Sequence, residues 1–362
     1  MCRFMIYKGQ DTIRLEHLLT RPAHSIINQS FDSRLRLDTR RPINGDGFGV
    51  GYYPEVVDED EERGPCVYCA TTPAWNNVNL SRLASKTHSR MVFAHVRAST
   101  SGVLSETNCH PFVYHTLMFM HNGGVSYFSQ IKRKILSYIR EPYFLTIQGG
   151  TDSEASFALF LDMLHTLGVD PSDPIGNFPS ELLEQALEQT IQLLVKWSLE
   201  AAHEQGITEP EPSLLNFAVT DGETVVVSRY ISSRTEEAAS LYYSTGTRFY
   251  EKEPGQYTME RCHRLNSIVM VASEPLTFER NDWITIPTNT IMVIRKSPSV
   301  LLRPIKDQFY VSDPTHSRKT DLMVRKGLAS PVVRPSYKAQ ISTRQGVPPL
   351  MREGRASTAA GA

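Results

Sequence analysis

The periodicity of apolar residues changes twice along this chain, and that change constrains its fold more than any single motif. MCRFMIY has the content of a short strand beginning almost at residue 1, MVFAHVRAST is a buried strand running into a turn, and TLMFMHNGG is another. A helical region around residues 126 to 140 follows, then the loop PYFLTIQGG, then the helical segment TDSEASFALFLDMLHTLG. In that segment Ala155, Ala158, Leu159, Leu161, Met163 and Leu164 fill one broad helix face, and Thr151 or Asp152 stands where an N-cap would. From about Ser180 to Gln205 apolar residues recur at helical spacing through Leu183, Leu187, Ile191, Leu194, Trp197 and Leu199. The period then returns to two. LLNFAVTDGETVVVSRY is a hairpin turning at Asp221-Gly222, and LYYST, SIVMVAS, WITIP and TIMVIRK are further strands. Strands, helical segments and strands again give an α+β chain in which helices cover antiparallel sheets.

INGDGFGVGYY narrows this further, because Gly45, Gly47, Gly49 and Gly51 fall on one side of a period-2 strand. Alternate glycines mean that something packs closely on the strand's backbone. A dinucleotide-binding loop is the rival reading, but YYPEVVDEDEE follows, and its proline and acidic run cannot open the helix such a loop needs. The acidic segment EVVDEDEERGP reads as a solvated hairpin tip. Lys plus Arg number 38 against 39 Asp plus Glu, so no global basic field exists to hold nucleic acid or anionic lipid. The first ten residues lack the apolar core of a signal peptide, and no apolar run approaches the roughly 18 residues of a membrane span. Five scattered cysteines are no disulfide framework, which makes reduced cytoplasm the expected compartment. From roughly Ser312 the pattern dissolves. Residues 330 to 362 then hold Arg334, Lys338, Arg344, Arg352 and Arg355 against Glu353 alone, a basic and disordered tail.

Several residues could carry chemistry. Removal of the initiator methionine would leave Cys2 with its own α-amine, placing a thiol and an adjacent base in one residue. In AHVRAST, the fork of Arg97 can hold a carboxylate through two hydrogen bonds. In HNGG, the Asn122 side chain and the Gly123 backbone N–H can face a developing oxyanion. In GGTDSE, Asp152 at a helix mouth can pair an ammonium. Taken singly, each has a plainer account: a small tolerated residue, a surface arginine, a turn Asn-Gly and an N-cap aspartate.

Taken together, MCRF, GDGFGVG, AHVRAST, NCHPF, HNGG and GGTDSE closely resemble the class II glutamine amidotransferases, a family of N-terminal-nucleophile enzymes. The resemblance spans residues 2 to about 165. VASEPLT and WITIPTNT resemble later strands of a stand-alone subgroup that includes bacterial YafJ-like proteins and the fungal glutamine amidotransferase subunit of the glutathione-degrading Dug complex. By position, the resemblance implies that Cys2 is the nucleophile, that Arg97 holds the substrate α-carboxylate and that Asp152 holds its α-ammonium. It makes Asn122 and Gly123 the oxyanion hole and Thr100 a second substrate contact. The implied fold is a four-layer αββα N-terminal-nucleophile hydrolase, needing no cofactor or metal. Ala98 departs from the aromatic residue that often follows the arginine in members with attached synthetase or transferase domains. Cys66 and Cys69 have zinc-knuckle spacing but no second pair, His95, His110 and His121 read as structural histidines, and Cys109 as a buried core thiol.

The implied organisation is a catalytic domain over residues 2–310 and an extension over 311–362, leaving no chain for a synthetase that would use ammonia. The expected activity is therefore cleavage of a γ-glutamyl amide, first of all in glutathione, within a complex containing a peptidase-like partner. Two rivals stand beside it: a glutaminase subunit delivering ammonia to a separate synthase, and a non-catalytic scaffold.

Overall fold

The computed structural model describes residues 2–31, 44–55, 63–98, 103–262, 266–313 and 317–326. Strand β1 (Arg3–Arg14) opens the chain, followed by helices α1 (Glu16–Leu19) and α2 (Ile26–Phe31), strands β2 (Phe48–Tyr52) and β3 (Cys66–Ala70), and helix α3 (Val78–Lys86). Next come β4 (His88–Val96), β5 (Phe112–Tyr114), β6 (Leu117–Gly124), α4 (Phe128–Tyr138), α5 (Glu141–Phe144), α6 (Asp152–Thr166) and α7 (Ser180–Glu204). The last part runs through β7 (Leu214–Thr220), β8 (Val225–Arg229), β9 (Tyr242–Gly246), β10 (Arg248–Glu253), β11 (Gln256–Glu260), β12 (Ile268–Ala272), β13 (Ile284–Thr285), β14 (Thr290–Ile294) and β15 (Val300–Pro304) to α8 (Asp321–Arg325).

Among the described residues these strands build a seven-stranded sheet ordered β13-β9-β12-β1-β4-β2-β3 and a six-stranded sheet ordered β15-β14-β8-β7-β6-β5. Their pairings are antiparallel, and β10 and β11 form a separate hairpin. The two-residue period of each strand explains the layering. On β1, Phe4 and Ile6 enter the core shared with Met118 and Met120 of β6, Ala218 of β7 and Met292 of β14, which packs sheet on sheet. Met5 and Tyr7, on the opposite face, meet Leu18, Leu19, Ile27, Leu80 and Ala84 of α1–α3. On β6, Leu117 and Phe119 turn the other way, toward Phe157, Phe160, Leu187 and Ile191 of α6 and α7. Helices, sheet, sheet and helices give the αββα order. Each large side chain so buried contributes about 1.5–3 kcal/mol.

Several details differ from the sequence reading. The loop after α4 contains the turn of helix α5, and WITIP yields only the two-residue strand β13. Helix α6 is buried nearly all round, not on one face, because it lies between β6, α4, α5 and α7. Of the four alternating glycines, Gly49 and Gly51 lie in β2, whereas Gly45 and Gly47 precede it, Gly47 in the left-handed region at φ +106°. Beyond Ser312, helix α8 places Leu322 and Met323 against Leu214, Ile231, Ala238 and Ala239. The acidic stretch 56–62 and the basic segment from 330 lie outside the described residues. No described helix is long and apolar enough to cross a membrane.

Candidate active site

Cys2 precedes β1, and both neighbours of that strand reach the site. On one side Arg3 pairs with Val96 of β4, which brings the next residue, Arg97, opposite Cys2. On the other side Met5 pairs with Ala272 of β12, and the chain continues along β1 as Ser273 and Glu274. The Ser273 N–H donates to the Phe4 carbonyl at 3.0 Å, and the Phe4 N–H donates to Ser273 Oγ at 3.1 Å. Arg3 turns into the protein, donating from Nε to Glu274 at 2.9 Å and from Nη1 to Asn44 Oδ1 at 2.8 Å and to the Gln29 carbonyl at 3.1 Å. A buried ion pair thus clamps the residue after Cys2.

The Cys2 sulfur donates to the Ala98 carbonyl across 3.7 Å. Burial pushes its thiol up; the Ala98 backbone and the Arg97 guanidinium pull it back, and Asp152 pushes it up again. Both Arg97 and Asp152 are therefore close enough to act on the sulfur. Arg97 is 4% exposed, and its backbone is held by Asp46 and Gly47, its N–H donating to the Gly47 carbonyl at 2.9 Å. Glycine at 49 is explained by the HisPro segment of NCHPF, and glycine at 51 by that segment together with β6. A Cβ on Gly49 would collide with the His110 carbonyl oxygen, and one on Gly51 would collide with Met118 Sδ and lie 2.8 Å from Pro111 Cγ.

Asn122 comes from the opposite sheet. Its Nδ2 donates to Ser273 Oγ at 3.2 Å, so one hydroxyl joins β6 to the strand of Cys2. At Gly123 a Cβ would overlap the Leu214 carbonyl oxygen of β7, so only glycine fits this ladder position. Asp152 opens α6, with Thr151 as the N-cap that accepts from the Glu154 N–H at 3.3 Å. The Asp152 carboxylate accepts the Val125 N–H at 2.8 Å and the Ser153 N–H at 2.9 Å, tying the end of β6 to the helix. Glu154 holds the preceding loop through the N–H groups of Gln148 and Gly149 at 2.7 and 2.8 Å, and Asn108 Oδ1 accepts from Gly150 N–H at 3.4 Å. Thr100 lies outside the described residues.

The histidines form a buried neutral group beside the site. His121 Nε2 donates to the Leu214 carbonyl at 3.0 Å and its Nδ1 lies 2.8 Å from Ser153 Oγ, while burial lowers the ring's pKa and favours its neutral form. His95 Nε2 donates to the His121 carbonyl at 3.2 Å, and the His95 and His110 rings lie tilted at 34° with centroids 4.1 Å apart. Burial drives His95 down to about 3 and His110 well below its ordinary range. Cys66 and Cys69 part company, the first exposed and the second directed at the His110 carbonyl across 3.8 Å. Cys109 is buried, and burial pushes its thiol up to about 11. Among the described residues no group of three or more His, Cys, Asp or Glu stands where it could hold a metal.

Ser273, Arg3, Glu274, Asn108 and Glu154 escaped the sequence reading. Ser273 lies inside the VASEPLT element, yet nothing in its local spacing points to Asn122, which is 151 positions away.

Comparison with known proteins bears on the family and the fold. Residues 16–316 match the family described as "Glutamine amidotransferases class-II". Over 355 residues, 98% of this chain and 97% of the other, the chain is 59% identical to "Probable glutamine amidotransferase DUG3" of Saccharomyces cerevisiae. In fold it is similar to a glutamine aminotransferase class-II domain protein from Silicibacter pomeroyi, with a TM-score of 0.52 and 22% identity over 84% of this chain and 99% of that one. It is also similar to the allosteric regulatory enzyme of purine biosynthesis, with a TM-score of 0.51 and 12% identity over 84% of this chain and 49% of that one.

Proposed function

This chain belongs to the class-II glutamine amidotransferases, and on that premise we propose that it is an N-terminal-cysteine amidohydrolase that cleaves the γ-glutamyl bond of glutathione in the cytoplasm. The observation that carries this reading is the setting of Cys2. It immediately precedes β1 beside Arg97, feels the charge of Asp152, and is tied through Phe4 and Ser273 to Asn122 of the facing sheet.

The chemistry follows from these groups. The α-amine of Cys2 takes the thiol proton, and the sulfur attacks the γ-carbonyl carbon, forming a C–S bond. Negative charge gathers on the carbonyl oxygen, where Asn122 Nδ2 and the Gly123 N–H receive it. Collapse breaks the C–N bond, and the leaving amine takes the proton from the α-ammonium. Water, deprotonated by the same amine, then hydrolyses the γ-glutamyl thioester and releases glutamate. Arg97 binds the substrate α-carboxylate and Asp152 its α-ammonium. No step calls for a metal or cofactor.

Glutathione and glutamine share the γ-glutamyl half, so Arg97 and Asp152 cannot separate them. Glutathione is favoured by the resemblance to the Dug subunit, within a complex whose partner is peptidase-like. The catalytic unit in this proposal is residues 2–310, and 311–362 is its extension. The test is glutamate release from both substrates by the purified chain, alone and with a peptidase partner. Preference for glutathione that vanishes in Cys2→Ala supports the reading. Preference for glutamine would make the chain an ammonia-supplying subunit, and no release at all would make it a scaffold.

A further inference from the structure

We propose that Ser273 is a positioning residue that fixes the Asn122 amide relative to the nucleophile. The inference rests on the reading of Asn122 as an oxyanion donor. A terminal amide torsion is soft, so something must hold the Asn122 plane if its N–H is to meet charge as it forms. Ser273 Oγ lies 3.2 Å from Asn122 Nδ2 and 3.1 Å from the Phe4 N–H. Phe4 lies on β1 two residues after Cys2, so the hydroxyl ties the donor on one sheet and the nucleophile at the head of a strand of the other to one point.

The hydroxyl is itself held. Its backbone N–H donates to the Phe4 carbonyl at 3.0 Å, and its carbonyl accepts from Ser240 Oγ at 2.9 Å. At 2% exposure, Ser273 meets little competition from water for the Asn122 bond. Glu274, the next residue, is clamped by Arg3, so the segment is pinned on both sides of the Oγ. Ser273 therefore sets where the oxyanion donor stands.

A double-mutant cycle tests this, with steady-state glutamate release and a thermal melt for each protein. Ser273→Ala should lower kcat roughly 3- to 10-fold with KM unchanged, the scale of one hydrogen bond. Ser273→Thr, which keeps the oxygen, should recover most of the loss. In an Asn122→Ala background, Ser273→Ala should add less than about 2-fold, because the group it positions is already gone. Normal kcat in Ser273→Ala beside an impaired Asn122→Ala would overturn the inference. So would full additivity of the two, which would mean that Ser273 acts elsewhere. Normal kcat in Asn122→Ala would instead overturn the oxyanion reading itself. If Ser273→Ala does not fold, Ser273→Cys, whose sulfur is a weaker acceptor, enters the same cycle with the same outcomes.

Discussion

Replacing Asp152 with asparagine removes a charge while nearly keeping shape, and the structure assigns the change two separable costs. The carboxylate accepts the Val125 N–H at 2.8 Å through one oxygen and the Ser153 N–H at 2.9 Å through the other. Asparagine offers one acceptor oxygen, so its amide group must face one of these donors and leave it unsatisfied. That costs about 1–3 kcal/mol of stability, and loss of an anion at the α6 N-terminus adds about 0.3–1 kcal/mol. The second cost falls on substrate. If Asp152 holds the α-ammonium, losing a charge-assisted hydrogen bond of about 1.5–3 kcal/mol lowers kcat/KM roughly 10- to 150-fold. The ammonium is equally charged in the ground and transition states, so this loss should appear in KM and leave kcat nearly intact. Urea denaturation measures the first cost, and kinetics on glutamine and on glutathione measure the second. Destabilisation with wild-type KM on both substrates would make Asp152 a structural link between β6 and α6, and an effect on only one substrate would refute its place on the shared γ-glutamyl half.

Arg97→Lys keeps the charge but not the two-pronged fork, and kcat/KM should fall roughly 30- to 1000-fold through KM, the scale of about 2–4 kcal/mol; an unchanged value in steady-state kinetics would place Arg97 outside the pocket. Gly49→Ala should cost about 1–3 kcal/mol, because the new methyl meets the His110 carbonyl oxygen and lies 2.6 Å from Cys69 Sγ; a urea midpoint equal to wild type would contradict the close approach of β2 to the HisPro segment. Acid should destabilise the fold early. His95 titrates at about 3 in the folded protein and near 6.5 when unfolded, so between those values the unfolded state binds the extra proton and stability falls as pH falls, by about 1.4 kcal/mol per pH unit at most. His110 and His121, depressed in the same direction, steepen the fall, and urea midpoints measured from pH 7 to 5 that do not move would show that these rings are not held neutral.

What was legible depended on element length and on local patterning. β1, β4 and β6 could be read because each carries a continuous β-favouring run, and α7 because its apolar face repeats over 25 residues. Helices α1 and α2 hold four and six residues, too short for a 3.6-residue period to show, although Leu18, Leu19, Ile26 and Ile27 are buried. The second helical layer was thus visible only through the family resemblance. At the site, Arg97, Asn122, Gly123 and Asp152 sit in compact motifs whose residue types suggest their chemistry. Ser273, Asn108 and Glu154 act through contacts that folding creates, and a serine in VASEPLT looks like any small buried strand residue. Thr151 and Asp152 were interchangeable as caps until the Val125 N–H assigned the aspartate to another partner.

The central claim is that the sulfur and amine of Cys2 perform the chemistry, and intact-protein mass spectrometry on rapidly acid-quenched turnover mixtures tests it most directly. The account predicts a mature chain beginning at Cys2 that gains the mass of one γ-glutamyl group during turnover of glutathione or glutamine, with the adduct mapping to residue 2 and absent from Cys2→Ala. Glutamate release by a chain that still carries Met1, or an adduct mapping to any residue other than Cys2, would contradict it.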